Sequence, residues 1–167
     1  PRVADARARG VDVIVIDHHL VPEEELPAFA FLNPHQPNCG FPYKGFASAG
    51  LAFVVIARLR RLLNSNFDVR ELLDLVALGT VADVAPLDGD NRRLVRAGLD
   101  RLRTSERPGL EALKKLANIR KGAFLGGRDI AFKLAPRLNA PGRIDDPDLT
   151  LKLLLERDPL RAKVYAE

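Results

Sequence analysis

Val11–Leu20, Val-Asp-Val-Ile-Val-Ile-Asp-His-His-Leu, is the stretch whose reading decides the fold. Its apolar residues are mostly β-branched, it follows Gly10, and it is short, a combination that predicts a buried strand rather than a helix. The lack of polar alternation is the pattern of a parallel sheet covered on both faces. The run stops at Asp17-His18-His19, with Pro22 shortly beyond. Three potential metal or phosphate ligands therefore stand at the carboxyl end of a central strand, where open α/β sheets place their sites. A single histidine there is more often a satisfied polar side chain than a ligand. Two adjacent ones after an aspartate are harder to dismiss, because imidazoles held in a crevice are costly unless paired or bound. These three residues by themselves leave both readings open.

Upstream, residues 1–9 read as the end of a helix that Gly10 closes. Downstream, Phe29–Leu32 ends at Asn33-Pro34 and predicts a neighbouring strand, followed by a loop dense in proline and glycine over Pro37–Gly45. His35 beside that loop is a ligand or, more simply, a surface residue. Helical spacing runs from Ala47 to Leu63, and the small residues Ala47, Ala49 and Gly50 at its start admit either a phosphate or a tightly packed helix. Asp68-Val69-Arg70-Glu71 is a capping-box variant that opens a helix through Leu78 and into Gly79-Thr80-Val81-Ala82-Asp83. Asp83, between apolar neighbours, reads as a partly buried carboxylate that needs a cation, or as a cap that turns the chain toward Pro86. Asn91–Leu102 predicts an amphipathic helix capped by Asp90, its arginines on a face that is solvated or touches nucleic acid. A helix begins at Pro108, Ile119–Arg128 is a basic, glycine-rich connector expected to be exposed and mobile, and Asp129–Leu138 is helical. Asp146-Pro147 and Asp158-Pro159 open two closing helices.

The chain of 167 residues is 47% hydrophobic and long enough to bury a core. With 26 Lys and Arg against 22 Asp and Glu, the net charge of +4 permits a nucleic-acid partner without requiring one. The one cysteine, Cys39, rules out an internal disulfide and a cysteine zinc site. No run approaches membrane-spanning length and no signal pattern opens the chain, which points to the cytoplasm. The chain starts at Pro1 and contains no methionine, so we expect a piece of a longer polypeptide.

Asp17-His18-His19 after an apolar strand resembles the signature of the DHH phosphoesterase superfamily. Four further segments narrow the resemblance to the RecJ-type single-stranded-DNA exonucleases. They are Asn33-Pro34-His35-Gln36-Pro37, the run from Ala77 to Leu87, Asp90-Asn91-Arg92, and Pro136-Arg137-Leu138-Asn139-Ala140-Pro141-Gly142-Arg143. They occur in the family's order and span nearly the whole chain.

The resemblance implies an α/β fold, a parallel sheet with flanking helices followed by a mainly helical segment. It divides the chain into 1–87, the C-terminal part of the DHH catalytic subdomain, and 88–167, the helical part that leads to an inter-domain connection. It implies hydrolysis of phosphodiester bonds in single-stranded DNA in the 5′-to-3′ direction, with Mn2+ or Mg2+ at a two-metal site. His18 and Asp83 resemble ligands of one ion, Asp17 a carboxylate that orients an imidazole, and His19 the residue that meets the scissile phosphate. Arg137, Asn139 and Arg143 would hold the nucleic-acid backbone, the rival being an arginine paired with Asp145 or Asp146. Helicase or single-strand-binding proteins are the implied partners.

Against the family pattern, an Asp-x-Asp on an earlier strand and a further Asp before the first helix are missing, as is a separate nucleic-acid-binding domain. The chain alone is therefore expected to be inactive, and in the parent Lys114→Ala is expected to be neutral where His18→Ala is not. The rivals are an oligoribonuclease or nucleotide phosphoesterase of the same superfamily and a DNA-binding scaffold with a degenerate site. A pyrophosphatase is disfavoured by Pro136–Arg143.

Overall fold

Apolar β-branched residues after Gly10 form β1 (Ile14–Ile16), which pairs in parallel with β2 (Ala30–Leu32) in the register Ile14–Ala30, Val15–Phe31, Ile16–Leu32. The computed structural model describes residues 2–144 and 148–167, with the backbone alone at 143 and 144. Helix α1 (Arg2–Ala8) precedes β1 and ends at Gly10, whose φ of +76° only glycine takes up freely. The Asp17 N–H donates to Leu32 O at 3.0 Å, extending the ladder one residue past β1 and into the Asp-His-His turn.

The expected sheet with both faces covered is not what this chain shows: Ile14 is 60% and Leu32 43% exposed. Two strands and the helix packed beside them, α2 (Ser48–Leu62), bury one face of such a ribbon and leave the other bare.

The rest is helical and holds the core. A 3₁₀ turn (Val69–Leu72) is capped by Asp68, which accepts from the Arg70 N–H, and leads into α3 (Leu73–Ala82). Next come α4 (Gly89–Thr104) and α5 (Pro108–Leu116). A helical run follows as α6 (Gly127–Asp129), a π-helical stretch (Ile130–Leu134) and α7 (Ala135–Asn139). The chain closes with α8 (Pro141–Ile144), α9 (Asp148–Leu155) and α10 (Pro159–Ala166), α10 capped by Asp158 through the Arg161 N–H. Asp146-Pro147, the other expected cap, lies outside the described residues, as do Asp145 and the Arg143 side chain. Leu102, Leu110, Leu113, Ile130 and Leu134 are essentially inaccessible and pack with Ala77, Val95 and Leu153 into one cluster. Truncating any of these leucines to alanine costs about 2–5 kcal/mol. No helix among the described residues is long and apolar enough to cross a membrane.

Four local expectations need correction. The N-cap of α4 is Asp88, and Asp90 lies inside its first turn. The connector over 119–128 is anchored by Leu125, which is 4% exposed. The helix expected over Asp129–Leu138 contains a π-helical stretch, because the ring of Pro136 crowds the carbonyl of Phe132 and a wider turn relieves it. Lys114 is 3% exposed, with Nζ donating to Leu102 O at 2.9 Å and paired with Glu111. Its truncation would leave the inaccessible Oε1 of half-buried Glu111 without its cation and open a gap in the core, so Lys114→Ala is not a neutral control.

Small residues set how α2 and α3 meet. A Cβ on Gly79 would stand 2.6 Å from the Ala49 Cβ. Tight helix packing is thus what the small residues at the start of α2 provide. It brings the C-terminus of α3 to the N-terminus of α2, beside the Asp-His-His turn.

Candidate metal centre

Two ring nitrogens of His18 are each engaged. Nδ1 lies 2.8 Å from Ser48 Oγ, on the first residue of α2, and Nε2 lies 3.1 Å from Asp83 Oδ2, at the C-cap of α3. Residues 65 positions apart thus face one another across the ends of two helices. The His18 side chain is 18% exposed and that of Asp83 38%, so Asp83 stands at a rim and is more open than expected from its apolar neighbours. Ser48 Oγ can donate to Nδ1 or accept from it, whereas the Asp83 carboxylate only accepts, so without an ion Nε2–H donates to Asp83. With a cation between them, Nδ1–H would donate to Ser48 and the Nε2 lone pair would face the ion.

Asp83 is held by the turn that follows it. Val84 N donates to Val81 O and Ala85 N to Thr80 O, both at 3.2 Å, the paired closure of a Schellman cap. Val84 occupies the left-handed position at φ +58°, a place usually given to glycine. Asp83 therefore both caps the helix and faces His18; the two readings of this residue are compatible.

Asp17 turns the other way. Its Oδ1 accepts from His18 N at 2.8 Å and sits 2.7 Å from His19 Nδ1. Burial works to raise the Asp17 pKa, but the hydrogen bonds from the His19 ring and from the His19 and His18 backbone outweigh it and hold the carboxyl below its usual range. The His19 ring, 75% exposed, packs against His18 with centroids 4.3 Å apart. Candidate ligand atoms of Asp17, His18 and His19 all lie within 4.8 Å of one another, so His18 belongs both to this group and to the pair with Asp83. The pair uses two atoms aimed at each other, whereas His19 Nδ1 is already taken by Asp17.

The buried side chain of Asn33 locks the turn in place: Nδ2 donates to His19 O at 2.9 Å and Oδ1 accepts from His35 N at 2.8 Å. His35 itself is exposed, as a surface residue would be. In the sequence Asn33 stands only as the start of the Asn33–Pro37 segment of the resemblance, with no role of its own, and Ser48 carries no mark. A serine opening a helix reads as a cap, and only coordinates show its hydroxyl on an imidazole.

Of the expected backbone-binding residues, Asn139 lines a cleft of about 470 Å³ together with Ala82 and Val84, which flank Asp83, and Ala131, Ala135 and Ala140. Arg137 is exposed and donates from Nη1 to Lys133 O at 2.6 Å, back along its own helix. The Arg143 side chain lies outside the described residues. Arg137 and Asn139 are thus not brought together on one ligand-facing group in this structure.

Residues 1–80 match the family model "DHH family, N-terminal domain". The chain is 46% identical over 176 residues to the single-stranded-DNA-specific exonuclease RecJ of Dickeya dadantii and 47% identical to that of Escherichia coli; each alignment covers 98% of this chain and 30% of the relative. It thus spans under a third of the length of these curated relatives. A crystal structure of exonuclease RecJ bound to manganese superposes with a TM-score of 0.84 at 33% identity, covering 99% of this chain and 41% of that one. RecJ from Thermus thermophilus in complex with Mn2+ gives a TM-score of 0.82 at 35% identity, covering 98% of this chain and 24% of that one. The parallel two-stranded sheet, its flanking helices and the helical remainder are therefore those of the RecJ fold. With its Asp-His-His turn at the end of β1 and these relatives along almost its whole length, the chain belongs to the DHH family, as a RecJ-type member.

Proposed function

We propose that this chain is part of the catalytic core of a divalent-metal nuclease that removes nucleotides from single-stranded DNA in the 5′-to-3′ direction. The observation that carries the reading is the approach of His18 Nε2 and Asp83 Oδ2 to 3.1 Å. Two ligands held about 2.1–2.2 Å from one octahedral ion stand about 3 Å apart, so this spacing fits a shared cation. One imidazole and one carboxylate suit Mn2+ or Mg2+. In such a site a pair of ions lowers the pKa of a bound water and neutralises charge on the phosphoryl group.

The chain's own residues divide the remaining work. His18 and Asp83 would hold one ion, with Ser48 fixing the His18 ring from the far side. Asp17 fixes the His19 ring through Nδ1, which leaves the exposed Nε2 edge to meet a scissile phosphate. Asn139, on the cleft wall beside the Asp83 turn, would hold the strand's backbone together with Arg143, and Arg137 would join it on rotation of its long side chain. Residues 1–87 carry the metal-facing groups and 88–167 the support and the strand-holding segment. A cytoplasmic setting and helicase or single-strand-binding partners complete the reading.

The test uses the full-length polypeptide that carries this chain, given 5′-phosphorylated single strands and Mn2+. His18→Ala and Asp83→Ala should each lower mononucleotide release by a hundredfold or more, on the order expected for losing a metal ligand. Lys121→Ala, in the exposed connector, should leave it unchanged. Undiminished release by His18→Ala would refute the proposal. The 167 residues alone should release nothing.

A further inference from the structure

The two halves of the candidate site sit at helix ends, Ser48 opening α2 and Asp83 closing α3, where loops lead away from the packed Gly79–Ala49 contact. His18 is braced by Ser48, three residues after Gly45; Asp83 stands three residues before Pro86. These two loops abut, and one side chain ties them. Asn91, inaccessible to solvent, donates from Nδ2 to Gly45 O at 2.6 Å and to Pro86 O at 2.9 Å. Both acceptors are carbonyls, so the amide nitrogen must face them; Oδ1 is left buried with no partner among the described residues. A buried amide that leaves its own oxygen unpaired in order to hold two carbonyls marks a constraint that local packing alone does not require.

Their neighbours agree. A Cβ on Gly45 would stand 3.0 Å from Pro86 Cγ and 2.7 Å from Tyr43 Oη, so the loops touch where the amide joins them. Tyr43 Oη donates to Asp88 Oδ1 at 2.6 Å, a second tie between the same two loops on the outer side. The backbone running from Gly45 to Ser48 and from Pro86 back to Asp83 is thus referenced to one point, at the base of α4.

We infer that Asn91 is a positioning residue for the metal pair: by bridging Gly45 and Pro86 it fixes the separation of Ser48-braced His18 from Asp83. It touches neither ion nor substrate. The inference rests on the proposed metal reading of His18 and Asp83. Its consequence is chemical rather than structural: the loops can separate by a fraction of an ångström with the core intact, and ligand spacing degrades before stability does.

The test reads Mn2+-induced broadening of the His18 and His19 ring resonances in the 167-residue chain. Asn91→Asp keeps the side chain's shape but sets a carboxylate against two carbonyls. It should require about tenfold more Mn2+ for equal broadening, the scale of a lost supporting contact to a metal ligand. Combined with His18→Ala it should add nothing to the effect of His18→Ala on the His19 signal. Leu110→Ala, which weakens the core away from these loops, should leave the Mn2+ response of the folded chain unchanged. If Asn91→Asp does not fold, Gly45→Ala wedges the same loops apart and should show the same shift. A wild-type response in the folded Asn91→Asp chain, or in Gly45→Ala where Asn91→Asp does not fold, overturns the inference, and so does an equal shift in Leu110→Ala. A wild-type response in His18→Ala would instead overturn the metal reading beneath it.

Discussion

Val84 shows how one residue can be set against its own preference to aim its neighbour. A left-handed φ costs a side-chain-bearing residue about 1–2 kcal/mol, and Val84, 88% exposed, recovers almost none of that by burial. Glycine would avoid the clash but adds roughly 0.5–1 kcal/mol of unfolded-state entropy. Val84→Gly should therefore stabilise the chain by up to about 1 kcal/mol, read as a higher denaturant midpoint; a lower midpoint would mean the turn is not under strain. At this scale the sequence is an uneven guide. Asp17, His18 and His19 announce themselves by chemistry, but Asp83 is ambiguous in isolation and acquires a role only from its distant partner. Asn33 and Asn91 stand in segments that carry the family resemblance, but their roles, like that of Ser48, are not legible there, since their partners are a ring nitrogen and backbone groups that only the folded chain supplies.

At the scale of elements, periodicity places α2, α4 and α5 correctly, because each buries a stripe against a neighbour and the stripe is written in its leucines and valines. It misses what depends on contact between elements. The bare face of β1 is one case, for a run of β-branched residues looks the same whether one face or both are covered. The π-helical stretch before Pro136 is another, a local answer to a ring clash rather than a pattern. Gly98 is a third: glycine inside a helix reads as a weakness, yet a Cβ there would stand 2.2 Å from Leu73 O and 2.6 Å from the Ala77 Cβ. Alanine would gain up to about 1 kcal/mol in helix propensity. Overpacking at a backbone carbonyl costs about 1–3 kcal/mol or more, so the clash wins. Gly98→Ala should lower the melting temperature, whereas propensity alone would raise it; calorimetry on the two chains decides.

For the molecule as a whole, folding holds several groups away from their ordinary protonation, and the signs set its pH range. The Lys133 ammonium and the Gly126 N–H depress the Asp129 carboxyl, and the N–H groups of Asp158 and Arg157 depress that of Glu156. The Arg70 guanidinium and N–H draw Asp68 down to about 2, and Asp17 is lowered against its burial. A depressed carboxyl contributes stability that is present above its unfolded pKa of about 4 and lost as pH falls through the folded value. Asp68 is open to solvent, so salt screens most of its share; Asp129, Asp17 and Glu156, more enclosed, carry the acid limb. Tyr43 sets the other limb. Burial and the hydrogen bond to Asp88 push its hydroxyl up to about 12, so the stability it brings is complete below about 10 and disappears as pH rises through 12. Melting temperature against pH should thus be flat between about 5 and 9 and fall on both sides. Asp129→Asn should flatten the acid fall. Asp88→Asn should bring the Tyr43 tyrosinate absorbance transition back toward about 10, along with the alkaline fall, and a Tyr43 transition that stays near 12 in Asp88→Asn would show that the Tyr43–Asp88 tie does not govern it.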